Sequence, residues 1–270
     1  MPAAKSQQGL MKGWIINMKE IVLTTKDLCK SFANNGGQNH VLDNVNIKVY
    51  EKDFTVIMGA SGSGKSTLLY CLSGMDKITS GEVSFRDEVI SNYKEKEMAK
   101  LRAIKFGFVF QQMHLVSNLT LFENVTVTGY LNKQRTAEQV KKRAAMLFET
   151  VNITEAKDRL PSQVSGGEAQ RAAIARSIIS EPDILFADEP TGALNRKNSE
   201  EVLNLLSSLN MDGQSIVMVT HDLKAAIRAT RLLYLEDGKI TGEMTLPPYQ
   251  EEESKSREVQ VNAWLSSLEW

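Results

Sequence analysis

The sequence has few cysteines, little net charge and no long apolar run, and each of these absences narrows its possible functions. Its 270 residues carry 32 Lys and Arg against 33 Asp and Glu, a net charge of −1. Without a positive field over the whole chain, we expect no nucleic-acid partner. Cys29 and Cys71 stand in apolar contexts and are expected to be reduced core residues of a cytoplasmic protein. Since no apolar run approaches the roughly 18–20 residues of a membrane span, any membrane link is expected to run through a partner.

What the sequence does contain is an alternation of apolar strands and helical patterns that predicts an α/β fold. Strand patterns occur at 21–28, 40–50, 54–59, 81–90, 106–110, 184–188 and 215–220, and a helical pattern follows at 222–230. The alternation of strands and helices favours a core with a parallel sheet. A block of helical patterns at about 119–180 interrupts this alternation. We therefore expect an N-terminal extension at 1–19, a main domain at 20–245 and a C-terminal tail at 246–270.

The C-terminal tail opens with a polar run and ends in an apolar-spaced segment. Val261, Trp264, Leu265 and Leu268 recur at i, i+3, i+4 and i+7, which predicts a short amphipathic helix, and Trp270 adds to its apolar content. A helix this short is marginal alone in water, so its apolar face should be covered. Its own domain or a second copy of the chain is the expected cover.

A glycine-rich loop, GASGSGKST at 59–67, matches G-x-x-x-x-G-K-[ST] between a predicted strand and a predicted helix. Glycines let the backbone curl so that N–H groups point at phosphate, and the helix that follows adds its positive end. Lysine reaches the terminal phosphates, and the hydroxyl of Ser66 can ligate Mg²⁺. The residues predicted to bind nucleotide in this phosphate loop are Gly59, Ser61, Gly62, Ser63, Gly64, Lys65, Ser66 and Thr67.

Polar residues follow three of the predicted strands. ILFADEP places Asp188 and Glu189 at a strand end, where Asp188 can hold Mg²⁺ and Glu189 can act as general base toward water. VTHD places His221 at the next strand end, beside the expected γ-phosphate. Gln111, just after FGFVF, is expected to contact Mg²⁺ and the attacking water. Together with the phosphate loop, these residues predict hydrolysis of a nucleoside triphosphate.

These motifs and their order resemble the ATPase subunits of ABC transporters over roughly residues 20–240. GASGSGKST is similar to the Walker A loop, FVFQQ to the Q-loop, ILFADEP to Walker B, TGALN to the D-loop and VTHD to the switch histidine. The resemblance implies a P-loop NTPase core with a mainly parallel sheet, an antiparallel β subdomain and an inserted helical subdomain. It also implies ATP and Mg²⁺ as cofactors, and Phe32 as the aromatic residue that stacks on adenine.

The stretch VSGGEAQR at 164–171 resembles the family's signature, usually LSGGQ, and is called the signature segment below. The resemblance implies a head-to-tail homodimer in which each ATP lies between the phosphate loop of one copy and the signature segment of the other. Ser165, Gly166, Gly167 and Glu168 would then bind the neighbour's ATP. Glu168 departs from the family's glutamine, although Ser165 and Glu168 have the spacing of a capping box. Asn195 replaces the D-loop aspartate.

The resemblance further implies an integral membrane permease as partner, which places the protein on the inner face of the cell membrane. FVFQQMHLVSNLTLFENV and ADEPTGALN are similar to the subgroup serving lipoprotein release, macrolide or peptide export and antimicrobial-peptide resistance. Peptide or antibiotic export or resistance is therefore the expected process. Two alternatives stay open: a soluble ABC ATPase in DNA repair or translation, and a weakly hydrolysing nucleotide switch.

Overall fold

The computed structural model describes residues 20–34, 37–133 and 135–268. The predicted extension at 1–19 and Trp270 lie outside the described residues. The strands are β1 (Ile21–Asn34), β2 (Gly37–Val45), β3 (Lys48–Tyr50), β4 (Phe54–Met58), β5 (Ser80–Phe85), β6 (Glu88–Val89), β7 (Phe106–Phe110), β8 (Ile184–Asp188), β9 (Ser215–Val219), β10 (Arg231–Glu236) and β11 (Lys239–Thr245). The helices are α1 (Lys65–Leu72), α2 (Glu95–Lys105), α3 (Leu121–Gly129), α4 (Ala137–Thr150), α5 (Gly166–Ile178), α6 (Arg196–Met211), α7 (Leu223–Ala226) and α8 (Ser254–Ser266).

A six-stranded sheet with the order β11-β10-β4-β9-β8-β7 forms the centre of the fold. Neighbouring strands from β10 to β7 run parallel, and β11 is the antiparallel edge strand. Strands β4 and β9 are buried along their whole length, and β8 is buried up to its last residue. Their uninterrupted apolar sequences follow from this, because a parallel strand is covered on both faces and shows no alternation.

A second, antiparallel sheet has the order β2-β1-β5-β6, with β3 also paired to β1. The strand predicted at 40–50 is divided into β2 and β3, because the N–H of Ile47 bonds to the hydroxyl of Thr25 at 3.0 Å instead of continuing a ladder. The strand predicted at 81–90 is likewise a hairpin, which turns at Arg86 with a φ of 51°. The first difference arises from a side-chain contact between residues 22 apart, and the second from local turn chemistry; apolar periodicity reveals neither.

Helices α3, α4 and α5 lie between β7 and β8 in the chain and form a separate layer. Each begins at a hydroxyl residue that accepts a hydrogen bond from the backbone N–H three positions later: Thr120, Thr136 and Ser165. The fold predicted from the sequence, a parallel-sheet core with an antiparallel subdomain and an inserted helical block, is confirmed. No helix in the described part of the chain is long and apolar enough to span a membrane.

The C-terminal helix α8 packs on its own domain, with Val261 and Leu265 fully buried. Trp264 and Leu268 cover Gly242 of β11, where an added Cβ would lie 2.6 Å from Leu268 Cδ1. The segment predicted as one helix at 222–230 is shorter than expected, since α7 ends at Ala226. Just beyond α7, the backbone carbonyls of Ile227 and Ala229 face α8.

Those carbonyls are held by Arg257, which is 3% exposed. Its guanidinium donates to the carbonyls of Ile227 at 2.7 Å, Ala229 at 2.6 Å and Pro247 at 2.8 Å. Burial lowers the pKa of Arg257, and Glu253 and Tyr249 act in the opposite direction. A buried side chain that satisfies three carbonyls is a substantial tie between the tail and the main domain.

We expect Arg257→Met to destabilise the protein by about 2–4 kcal/mol, because it leaves buried carbonyls without donors. Thermal or urea unfolding of the full chain measures this loss. Lys255→Met is the matched control, since Lys255 lies two residues away on the same helix and is exposed. Equal unfolding free energies for the two variants would contradict a role for Arg257 in holding the tail.

Candidate active site

The candidate site lies at the edge of the central sheet where four parallel strands end together. Ile57, Val219, Asp188 and Phe110 form one row across β4, β9, β8 and β7. The residues that come next on the four strands are Met58, Thr220, Glu189 and Gln111. The register of the sheet therefore brings the predicted motifs, far apart in sequence, to one edge.

The phosphate loop follows β4 directly and depends on glycine at defined positions. Gly59 has a φ of 153°, and a Cβ there would lie 2.1 Å from the carbonyl oxygen of Leu235 on β10. Gly62 and Gly64 have φ values of 83° and 101°, a region that other residues rarely adopt. Gly64 also caps α1, so the loop passes straight into the positive end of that helix.

A cleft of about 320 Å³ opens over this loop. It is lined by Val41, Ser61, Gly62, Gly64, Lys65, Ser66, Thr67, Glu189 and His221. Val41 was not predicted, because nothing in an apolar strand pattern marks one valine as facing a ligand. Ser63, by contrast, is buried, and its hydroxyl lies near Gly59 and does not line the cleft.

Lys65 places its ammonium inside the cleft. Its Nζ donates to the carbonyls of Gly59 at 2.8 Å and Ala60 at 2.7 Å. Burial lowers its pKa, while the carboxylates Glu189 and Asp188 favour the charged form. The carbonyls of the loop therefore hold this cation within the cleft.

Asp188 is held by two hydroxyl groups of helix α1. Ser66 Oγ donates to its Oδ1 at 2.8 Å, and the Tyr70 hydroxyl donates to its Oδ2 at 2.5 Å. Burial and this bond raise the pKa of Tyr70 to about 12, so the hydroxyl keeps its proton. Tyr70 was not predicted, although it follows Ser66 by four residues and therefore shares its helix face.

Glu189 is oriented by the end of the neighbouring strand. Its Oε2 accepts from Thr220 Oγ1 at 3.0 Å, and its Oε1 lies 2.9 Å from His221 Nδ1. The His221 side chain is 71% exposed, whereas that of Glu189 is 17% exposed. Glu189 and His221, each predicted separately as a site residue, are thus in contact, and the buried Thr220, which was not predicted, also holds Glu189.

Neither Gln111, which follows β7 at this edge, nor Phe32, which lies on β1 of the antiparallel sheet, lines the cleft. Gln111 is exposed, and its amide packs over Gly192, where an added Cβ would lie 2.9 Å from Nε2. Phe32 is 43% exposed on β1, with Lys30 Nζ 4.6 Å from its ring centroid. Metal contact by Gln111 and adenine stacking by Phe32 stay predictions.

The signature segment forms the start of helix α5. Ser165 Oγ accepts from the N–H of Glu168, and the carboxylate of Glu168 accepts from the N–H of Ser165 at 2.8 Å and from its hydroxyl at 2.7 Å. These bonds lower the pKa of Glu168. The expected capping box is present, and it turns the carboxylate back toward its own helix.

The two glycines of the signature segment have different surroundings. Gly166 is exposed, whereas a Cβ on Gly167 would lie 2.6 Å from Cγ of Asn198 on α6. Asn195, in turn, caps α6 by accepting from the N–H of Asn198 at 2.9 Å. None of the residues 164–171, all of which the structure describes, lines the cleft over the phosphate loop.

Helix α5 is tied to the segment that follows β7. Gln170, fully buried, donates to the carbonyl of Phe110 at 3.1 Å. Arg176 donates to the carbonyls of Met113 and His114, each at 2.6 Å. The signature segment and the region around Gln111 are therefore connected by side chains from two successive turns of one helix.

The residues at the sheet edge fit ATP with Mg²⁺. The glycine loop leaves room where side chains would otherwise fill the cradle, and Lys65, Ser66 and Asp188 supply a cation, a hydroxyl and a carboxylate. Within the described ranges, no three His, Cys, Asp or Glu side chains are grouped to hold a metal by themselves. This donor set suits Mg²⁺, which commonly takes one or two protein ligands together with water and phosphate oxygens.

Comparison with known proteins places this geometry among relatives. The sequence profile of the family described as "ABC transporter" matches residues 42–192. The dimeric post-hydrolysis structure of the ATP-binding cassette MJ0796 bound to ADP and Pi is 37% identical, with a TM-score of 0.77, and the match covers 84% of this chain and 100% of that one. A second dimeric structure of MJ0796, described as a bacterial ABC transporter cassette, has the same identity and coverage and a TM-score of 0.78.

The structure of cbiO1 from Clostridium perfringens, described as part of the ABC transporter complex cbiONQ, is 26% identical. Its TM-score is 0.76, and the match covers 93% of this chain and 98% of that chain.

Proposed function

The chain belongs to the ABC transporter family, and from that premise we propose that it is the ATP-hydrolysing subunit that drives an integral membrane permease. The observation that carries this proposal is the single sheet edge at which Lys65, Asp188 and Glu189 meet. Phosphoryl transfer to water needs a cation that binds phosphate, an oxygen that binds the metal ion and a carboxylate that accepts a proton from water. Lys65, Asp188 and Glu189 can supply these three groups in that order.

We propose that the phosphate loop binds ATP through its backbone N–H groups, with Lys65 on the terminal phosphates. Ser66, Asp188 and Gln111 would hold Mg²⁺, which when bound neutralises phosphate charge. Glu189 accepts the proton of the attacking water as the water oxygen bonds to the γ-phosphorus and the bond to the bridging oxygen breaks. ADP and inorganic phosphate leave, and His221 senses the γ-phosphate while it steadies Glu189.

The ATP-bound form is proposed to be a head-to-tail homodimer. The signature segment does not line its own chain's cleft, while Ser165 and Gly166 are exposed at a helix start. A helix start with free N–H groups suits a phosphate brought by a second copy. That MJ0796 is a dimer in both related structures supports dimerisation of this chain. Because Glu168 is held by Ser165, its charge is turned toward its own helix rather than left free.

We expect Glu189→Gln to bind ATP but to lose at least about 100-fold in kcat, because the amide keeps the shape and cannot accept the proton. The variant should therefore accumulate as an ATP-bound dimer. Steady-state hydrolysis and size-exclusion chromatography with ATP measure the two effects. Glu149→Gln, an exposed glutamate on α4, is the control. Hydrolysis at the wild-type rate by Glu189→Gln would rule out this role.

The permease is proposed to dock on the segment 111–124, which leads from the site to α3. Leu121 is fully buried, and Leu115 and Phe122 pack against the core, so these three are structural. Val116 is 47% exposed. The buried Asn124 bonds to both the N–H and the carbonyl of Val116, at 2.7 and 3.1 Å, and so presents this valine on a fixed backbone.

We expect Val116→Asp to weaken association with the membrane subunit about tenfold or more, because a charge would enter an apolar contact. Basal ATPase activity of the isolated subunit should stay unchanged. Co-purification of the co-expressed pair measures association. Val259→Asp is the control, since Val259 is 71% exposed on α8. Equal recovery of the membrane subunit with both variants would count against this docking surface.

We propose export of a peptide or antibiotic, or resistance to one, as the process served, with the protein held on the inner face of the cell membrane by its permease. The segments around Gln111 and at 187–195 support this through their resemblance to that subgroup. A membrane-active peptide antibiotic should raise the ATPase rate of the reconstituted complex, and a rate that no such compound changes would contradict the assignment. Nothing in the described ranges favours DNA repair or translation.

A further inference from the structure

Both carboxylate oxygens of Asp188 are occupied by hydroxyls from one helix. Ser66 Oγ lies 2.8 Å from Oδ1, and the Tyr70 hydroxyl lies 2.5 Å from Oδ2. The two donors are four residues apart on α1, which places them one turn apart on the same face. The carboxylate is therefore fixed at both ends, whereas a bond from Ser66 alone would leave it free to rotate.

The position of the Tyr70 hydroxyl is itself constrained. Its ring packs against the buried cluster between α1 and the sheet. Its carbonyl accepts from the N–H groups of Met75 at 2.9 Å and Asp76 at 3.1 Å, which fixes the end of the helix. A rigid ring on an anchored helix delivers its hydroxyl to one place, so the bond to Asp188 costs little conformational entropy.

We propose that Tyr70 is a positioning residue for metal binding, which holds Asp188 so that its Oδ1 faces Ser66 and the phosphate loop. This inference rests on the proposed function, since it assigns Asp188 to Mg²⁺. The physical reason is that partners hydrogen-bonded to a ligating carboxylate orient it, and their loss commonly lowers metal affinity about 10–100-fold. Tyr70 touches neither nucleotide nor metal in this arrangement and acts through Asp188.

The test is Tyr70→Phe, which removes the hydroxyl and keeps the ring. Binding of a fluorescent ATP analogue is titrated with Mg²⁺, and binding is also measured in EDTA without metal. The Mg²⁺ concentration for half-saturation should rise about tenfold. Affinity without metal should stay within about twofold, because the phosphate loop and Lys65 are untouched. A general loss of structure would instead weaken binding of the analogue both with Mg²⁺ and in EDTA.

Tyr93→Phe is the matched control, because the Tyr93 hydroxyl also bonds to a carboxylate, that of Glu88, and lies outside the cleft. If thermal unfolding shows that Tyr70→Phe does not fold, the same Mg²⁺ titration is done with Tyr70→Met, which also lacks the hydroxyl donor. A half-saturating Mg²⁺ concentration equal to that of wild type overturns the inference. ATP binding by the wild-type protein with no dependence on Mg²⁺ also overturns the inference, whereas a wild-type protein that hydrolyses no ATP with Mg²⁺ present would refute the proposed function itself.

Discussion

The parallel register of β4, β9, β8 and β7 is the constraint on which the site depends. Ile57, Val219, Asp188 and Phe110 form one row across these strands, so the residues that follow them emerge at the same edge of the sheet. A slip of one residue in any strand would turn its side chains to the opposite face. Loop, carboxylates and histidine meet because their strands are locked by burial on both faces.

Two kinds of contact then fix the orientation of the groups that meet at this edge. Strand-end groups are held by neighbours: Glu189 by Thr220 and His221, and Asp188 by Ser66 and Tyr70. The phosphate loop depends on the missing side chain of Gly59, because the backbone there approaches β10 more closely than any side chain would permit. Pre-formed groups of this kind need little rearrangement when charge develops in a transition state.

The helical layer adds a connection that lies outside the cleft. Helix α5 carries the signature segment at its start, and its Gln170 and Arg176 bond to carbonyls at Phe110, Met113 and His114. A displacement at Gln111 would therefore reach the same helix that a second copy is proposed to contact. Because α5 is bonded to the segment after β7 through both Gln170 and Arg176, we expect the helix and the segment to move together as one body.

The fold class could be predicted from the alternation of strand and helix patterns and from the order of the motifs. The phosphate loop, the strand-end carboxylates and the capping box of Ser165 and Glu168 could be predicted because each is a local pattern. That Val41 lines the cleft, that Thr220 holds Glu189 and that Tyr70 reaches Asp188 became visible only in the folded protein. The reason is physical. Local spacing fixes which face of an element a residue occupies. The partner across that face is set by packing between segments distant in the sequence, 31 residues apart for Thr220 and Glu189 and 118 apart for Tyr70 and Asp188.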